Sequence, residues 1–149
     1  MIWALLLSAW VSGKAKAPVT EPVLDAKGTR LRIEIANDDS TRALGLSKRA
    51  SLAWNDGMLF VFPSEEGRSF WMIDCSFDLD IAFLDREGII QDEQTMVIEP
   101  GVVPDLLRRY NSATDRVMYA LEVNRGWLSA HFLRVGDTLR GVKAWTTKH

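Results

Sequence analysis

The sequence predicts a small, mainly β domain, either a β-barrel or a sandwich of about seven short strands with one or two short helices. Leu31, Ile33 and Ile35 alternate with charged residues, which is typical of a strand with one buried face. The run from Met58 to Phe62 is continuously apolar and indicates a strand buried on both faces. Turn residues recur between such runs at the spacing of hairpins. Periodicity alone leaves both architectures open.

The first 28 residues are expected to precede the domain. Residues 2–11 are apolar and about half as long as a membrane-spanning helix, and Ala15-Lys16-Ala17 has the small-x-small form of a cleavage site. We therefore predict a signal peptide or an uncleaved N-terminal anchor over residues 1–17, with export to the periplasm or the extracellular space. An apolar helix packed on the domain is the alternative, because no Lys or Arg precedes the run. Residues 18–28 are interpreted as a linker or an early strand.

One domain is expected over residues 29–145, and its first half is punctuated by caps and turns. Residues 37–40 offer several helix N-caps, so a short helix is expected from Thr41 to Leu46. The segment from Trp54 to Gly57 contains Asp-Gly, which tolerates positive φ and predicts a turn. The strand from residue 58 is expected to end at Pro63.

The second half contains apolar runs separated by short polar segments. Residues 69–73 and 79–84 flank the sequence DCSFD and are predicted to form a hairpin. The remaining predicted elements are a turn at 85–88, a strand at 89–98, an irregular loop at 101–115, a strand at 117–123, a short helix within 126–133 and a final strand at 138–142.

Charge and composition exclude several classes of function. The formal net charge is −2 and the Lys and Arg residues are scattered, so nucleic acid is not expected as a partner. The single cysteine and the two histidines rule out an internal disulfide and a multi-cysteine zinc site. We expect no cofactor and no metal, and contact with a membrane only through the N-terminal segment if it stays uncleaved.

Four segments of the chain match, in order, the motifs of one family. They are residues 41–46 with Arg49 (its ER-x-x-GLM-x-R), residues 57–62 (GMLFVF), residues 70–72 with 79–83 (FWMKNT-x-x-PLDIAF), and residues 119–123 with Gly126-Trp127 and 135–137 (YVLEL-x-x-GW…VGD). On these segments, from about residue 30 to 140, the chain resembles domain of unknown function 192, the uncharacterised ACR family. The resemblance implies a small, mostly β domain, frequently exported or membrane-tethered, with no assigned activity.

The chain departs from that pattern in five places. Ile73 and Asp74 stand at the Lys-Asn pair that follows FWM in the family, Cys75 at the Thr, Asp78 at the Pro and Ser47 at the Met. If the Lys-Asn pair carries the chemistry of the family, this chain lacks it. An anion-binding role inferred from that lysine does not carry over.

Five residues are predicted to line a ligand-binding pocket: Arg42, Arg49, Trp71, Asp74 and Asp80. Asp80 interrupts an apolar strand, and a buried carboxylate must be paired or neutralised. We therefore expect Arg42 or Arg49 as its partner, in a bond that locks helix to sheet, with a pocket acid as the alternative. Trp71 either packs in the core or offers a surface on which a ligand stacks.

Two catalytic arrangements remain as alternatives. Asp74, Asp78 and Asp80 share parity, and paired carboxylates serve as acid and base in glycosidases, although Asp beside a turn is common for local hydrogen bonding. Cys75 and His131 are a candidate nucleophile–base dyad, although no cysteine-enzyme signature surrounds Cys75. The sequence therefore favours a non-catalytic, exported module that binds a small ligand, a glycan or another envelope protein, with a hydrolase-like enzyme as the alternative.

Overall fold

The computed structural model describes residues 22–145, so the predicted leader at 1–17 lies outside the described residues. This part of the chain forms eight strands and two short α-helices. They are β1 (Val23–Ala26), β2 (Thr29–Ala36), α1 (Asp39–Leu44), β3 (Asp56–Glu66), β4 (Ser69–Phe70), β5 (Leu79–Leu84), β6 (Ile90–Met96), β7 (Tyr110–Asn111), β8 (Val117–Asn124) and α2 (Trp127–Ala130), with 3-10 turns at Pro104–Leu106 and Val142–Trp145. Between residues 22 and 145, no helix has the length and apolar character needed to cross a membrane.

Six of the strands form one mixed sheet in the order β1-β2-β3-β8-β5-β6, and β4 pairs separately with β7. Strands β2 and β3 run parallel and are joined through α1, whereas the other neighbours are antiparallel. Thr138 forms a single bridge to Ile89 beside β6, and Arg140 forms one to Asp25 at the opposite edge strand. Because these are isolated bridges, the sheet does not close into a barrel. The mainly β class is confirmed, and its architecture is sandwich-like.

Both faces of the large sheet are apolar, which is why its central strands read as continuous apolar runs. In β3, Leu59 and Val61 contribute to one buried cluster, and Phe60 and Phe62 contribute to the other. We call the first side the Trp127 face, after the fully buried Trp127 that packs there from α2, and the second side the Phe60 face. Completely burying one such large side chain stabilises a fold by about 1.5–3 kcal/mol.

Several predicted boundaries are wrong because the tertiary context changes them. β3 continues through Pro63 to Glu66. The register against β8 shifts between Val61 and Glu66, so Pro63, which has no N–H to donate, does not occupy a regular position in the ladder. Gly57 belongs to β3 and not to a turn, and it lies so close to β8 that a Cβ atom would be 2.7 Å from the carbonyl oxygen of Glu122. The early strand, one of the two interpretations of residues 18–28, is present as β1, which forms with β2 a hairpin whose turn residues have positive φ.

The predicted hairpin of residues 69–73 and 79–84 is also wrong. β4 ends at Phe70 and pairs with β7, whereas β5 lies between β6 and β8. Met72 is buried from a loop, so its apolar character reflects packing and not strand pairing. The final strand at 138–142 reduces to two bridges, because Gly141 adopts φ +98 against β1 and a 3-10 turn follows.

Candidate functional site

An open cavity of about 380 Å³ lies on the Phe60 face, where α1 and the segment at residues 67–71 approach β3. Its walls combine two positively charged side chains and four aromatic ones with the carboxylate of Asp39 at the start of α1. The residues that define it are Arg42, Phe60, Phe62, Arg68, Phe70 and Trp71. We call this cavity the arginine–aromatic pocket.

The helix α1 aims Arg42 at β3. Asp38 caps the helix, since its Oδ1 accepts a hydrogen bond from the backbone N–H of Thr41 at 2.8 Å, and the Thr41 hydroxyl accepts one from the Asp38 N–H at 3.2 Å. Arg42 then donates from Nη1 to the carbonyl oxygen of Val61 and from Nη2 to Asp39, each at 2.7 Å. These bonds hold its guanidinium at the pocket wall with 17% of the side chain exposed.

Arg68 lies over the same aromatic ring as Arg42. Its guanidinium lies 3.9 Å from the centroid of the Phe62 ring, and that of Arg42 lies 5.7 Å from it. Within the described residues, the Arg68 Nε is buried and has no hydrogen-bond partner. Burial lowers the pKa of Arg68; the negative charge of Glu66 opposes this effect, and the positive charge of Arg42 adds to it. Two cations therefore share one aromatic ring in a partly dehydrated place.

The aromatic side of the pocket is rigid because Phe70 joins β4 to the large sheet. Its ring meets Phe60 edge-on at 5.0 Å between centroids and Phe83 at 5.8 Å. Trp71 follows in the loop and is half-buried, with the guanidinium of Arg109 at 3.7 Å from its ring centroid. A cation over an aromatic face contributes about 0.5–2 kcal/mol, which helps to fix the indole in place.

Of the five predicted pocket residues, the structure brings together Arg42 and Trp71 and leaves three elsewhere. Arg49 pairs with Glu34 of β2 through both terminal nitrogens of its guanidinium. Asp74 has φ +53 in a loop, where its carbonyl oxygen accepts a hydrogen bond from the Lys48 N–H at 2.8 Å.

The expected pairing of Asp80 with an arginine of the helix motif is wrong. Its Oδ1 accepts a hydrogen bond from the Thr95 hydroxyl at 2.9 Å, and its Oδ2 accepts one from the Gly126 N–H at 2.8 Å. Gly126 has φ +85 and precedes α2, so Asp80 ties β5 to β6 and to the start of that helix. Asp80 also lines a second cavity of about 360 Å³ together with Glu93. Burial, and then the charge of Asp80, raise the pKa of Glu93.

Neither of the two candidate catalytic arrangements, the paired carboxylates and the cysteine–histidine dyad, is assembled. Asp78 has its own partners, the Ile98 N–H at 2.9 Å and Arg125 at 2.8 Å, and the backbone bond leads in lowering its pKa. His131 stacks on Trp127 at 4.1 Å between centroids, on the Trp127 face, whereas Cys75 packs against the Phe60 face. Burial leads in raising the pKa of the Cys75 thiol to about 11, so this thiol is a poor nucleophile.

Comparison with known proteins places this fold in a family. The sequence model of domain of unknown function 192, described as uncharacterised ACR, matches residues 22–141. The chain belongs to this family. No curated protein matches the sequence.

Two solved structures share the fold. A protein from Sinorhizobium meliloti 1021, described as a proposed transcription regulator, is 29% identical, with a TM-score of 0.67 over 81% of this chain and 92% of that one. A protein of unknown function from Novosphingobium aromaticivorans is 23% identical, with a TM-score of 0.65 over 87% of this chain and 94% of that one.

Three of the four segments that carry the resemblance to the ACR family meet at the arginine–aromatic pocket. Arg42 comes from the first segment, Phe60 and Phe62 from the second, and Phe70 and Trp71 from the third. These segments are distant in sequence, and only the crossover through α1 and the pairing of β4 with β7 bring them together.

Sequence reasoning missed three residues that the structure brings out. Arg68 stands alone between Gly67 and Ser69, Arg109 directly follows Arg108, and no local pattern marks either arginine as the neighbour of an aromatic ring. Glu122 carried a signal, since it is an acidic residue inside the apolar run VMYALEV. It is 5% exposed, and burial raises its pKa to about 8.

Proposed function

We propose that this member of the ACR family is a non-catalytic binding module of the cell envelope, and that its ligand is a small organic molecule held in the arginine–aromatic pocket. The observation that carries the proposal is the buried, unpartnered Nε of Arg68 beside a wall of aromatic rings. A buried donor without a partner costs about 1–3 kcal/mol, and a bound acceptor would relieve that cost.

The dimensions and composition of the pocket support a small ligand. Its volume of about 380 Å³ falls within the range of about 300–1,000 Å³ that is usual for such sites. Aromatic rings supply apolar surface, and the two arginines supply placed polar groups, which is the usual division between affinity and orientation.

The condition of the candidate catalytic groups supports binding over catalysis. A nucleophilic cysteine needs a lowered thiol pKa and a base within hydrogen-bond reach. The pKa of Cys75 is instead raised to about 11, and His131 is held on the other face of the sheet by Trp127, whose carbonyl oxygen lies 2.7 Å from the His131 Nδ1.

The envelope location rests on the apolar run and the small-x-small sequence near the N-terminus. The net charge of −2 and the scattered basic residues disfavour an electrostatic footprint for DNA.

A thermal-shift screen of envelope metabolites and short glycans tests this proposal. A ligand in excess of its Kd is expected to raise the Tm of the purified chain by several degrees. The shift should vanish in Trp71→Ala and persist in Trp54→Ala, a control that removes a 48% exposed tryptophan outside the pocket. If the shift survives in Trp71→Ala, the ligand binds elsewhere. Evidence that the natural ligand is a protein or DNA would contradict the proposal.

The second candidate is a hydrolase-like enzyme with paired carboxylates, and one observation favours it. Asp80 and Glu93 line the same cavity, and Ala82 is the register partner of Glu93, so the two carboxyl groups lie diagonally on neighbouring strands. Hydrolysis of a glycan in the same screen, lost in Glu93→Gln while the fold is retained, would favour this candidate over binding alone.

A further inference from the structure

We propose that the ligand of the arginine–aromatic pocket carries an oxyanion, a carboxylate or a phosphate ester, attached to a flat apolar group. The oxyanion binds between Arg42 and Arg68, and the apolar group lies against Phe70 and Trp71. This inference rests on the proposed function and names the chemical class of the ligand.

Two guanidinium groups lie over the same aromatic ring of the pocket. Arg42 and Arg68 lie 5.7 and 3.9 Å from the centroid of one ring, that of Phe62. The positive charge of Arg42 acts on Arg68, and the low dielectric of a partly buried site strengthens such repulsion. An anion between the two guanidinium groups would attract both of them. A neutral ligand would add no such attraction.

Arg68 has N–H donors that are not used within the part of the chain that the structure describes. Its Nη2 donates to the carbonyl oxygen of Ser64, and its Nη1 lies 3.8 Å from the Glu66 carboxylate, which is beyond hydrogen-bond distance. Its Nε is buried without a partner among residues 22–145. Guanidinium groups present their N–H donors in a planar fork that matches the oxygens of a carboxylate or a phosphate. The unsatisfied Nε therefore calls for an acceptor with that geometry.

The carboxylates of Asp39 and Glu66 are weak competitors of a ligand oxyanion for the two arginines. The side chain of Asp39, which pairs with Arg42, is fully exposed, and that of Glu66 is 62% exposed. Exposed ion pairs contribute about 0–1 kcal/mol, because water screens them and ordering two side chains costs entropy. A ligand oxyanion that excludes water from the pocket can replace them at small cost.

The aromatic rings of the pocket favour an organic anion over an inorganic one. Phe60, Phe70 and Trp71 line the pocket beyond the two arginines. Covering these rings with a flat apolar group removes apolar surface from water, at about 25 cal/mol per Å². The pocket should therefore bind an organic acid more tightly than free phosphate.

Isothermal titration of the purified chain with four probes tests the inference: benzoate, phenyl phosphate, uncharged benzamide and inorganic phosphate. We expect benzoate or phenyl phosphate to bind at least tenfold more tightly than benzamide and than inorganic phosphate, and we expect their Kd values to rise with salt. The probe that binds more tightly then identifies the carboxylate or the phosphate ester as the source of the oxyanion.

Variants at three positions complete the test. Arg68→Gln should weaken the binding of the anionic probe at least tenfold. Arg68→Lys, which keeps the charge and removes the planar fork, should weaken it by a smaller factor. Arg49→Gln is the matched control, because Arg49 lies outside the pocket and pairs with Glu34. The affinity of this variant for the anionic probe should equal that of the unchanged chain. Thermal melts of each variant establish that it is folded.

The possible failures are distinguishable. Equal affinity for benzamide and benzoate, or an Arg68→Gln variant that is folded and binds unchanged, would overturn the oxyanion while leaving a small-molecule pocket in place. Inorganic phosphate that binds as tightly as phenyl phosphate would overturn the role of the aromatic wall. If the screen finds ligands and none depends on Trp71, the proposed function itself fails.

Discussion

Replacing Glu122 by glutamine tests whether one buried carboxyl group makes the stability of this domain depend on pH. Glu122 lies in β8, in register with Met58 of β3 on one side and Ile81 of β5 on the other. Burial raises its pKa from the ordinary value of 4.5 to about 8. At neutral pH the folded protein therefore keeps this carboxyl group protonated, whereas the unfolded chain ionises it.

The sign and the size of the effect follow from proton binding. Between the unfolded pKa of 4.5 and the folded pKa of about 8, the folded state holds a proton that the unfolded state has released. The contribution of Glu122 to stability is therefore greatest below pH 4.5 and falls as the pH rises towards 8. From pH 5 to pH 7 this group lowers the free energy of unfolding by about 2–3 kcal/mol, and the loss levels off above pH 8.

Glu122→Gln keeps the shape of the protonated side chain and removes its titration. Urea unfolding, followed by circular dichroism at pH 5, 6, 7 and 8, gives the free energy of unfolding of both chains. The advantage of the variant over the unchanged chain should grow by about 2–3 kcal/mol between pH 5 and pH 7. Glu66→Gln, at a 62% exposed position, is the control and should show a nearly constant difference. A constant difference for Glu122→Gln as well would refute the reasoning.

Three further outcomes are expected. Asp80→Asn should destabilise the domain by about 1–3 kcal/mol in thermal melts, because an amide accepts at only one of the two oxygen positions, so that either the Thr95 hydroxyl or the Gly126 N–H loses its acceptor. Gly57→Ala should lower the Tm strongly, since its Cβ would lie 2.7 Å from a backbone oxygen, whereas Gly67→Ala, with open space around it, should be nearly neutral. Alkaline phosphatase fused after residues 1–21 should be active in a bacterial host, because that enzyme needs an oxidising compartment to form its disulfides.

Each of these outcomes can fail independently. An Asp80→Asn variant as stable as the unchanged chain would mean that the two hydrogen bonds do not hold α2 in place. Equal melting temperatures for the two glycine variants would contradict the close approach of β3 and β8. An inactive phosphatase fusion that is produced in full would remove the support for export.

The candidate site was predictable only where local pattern and tertiary contact agree. Arg42 follows a helix cap and Trp71 stands in an aromatic run, so both were visible as candidates, and they share a pocket. Arg68 was not visible, because its importance lies in its position over the ring of Phe62, which depends on how β3 bends beyond Val61. Asp80 was visible as a buried acid, but its partners, Thr95 and Gly126, come from segments that only folding brings near.

The mainly β class, the central strands and the family were predictable from the sequence, because strands buried on both faces have continuous apolar runs and the family motifs lie in order along the chain. The pairing of the strands, the points at which Pro63 and Gly141 leave the ladder, and the open sheet became visible only in the folded domain. Alternation and hydrophobicity report whether a residue is buried, and they carry no information about which distant segment buries it. The arginine–aromatic pocket is the clearest consequence, since three separate segments build it and none of them marks it alone.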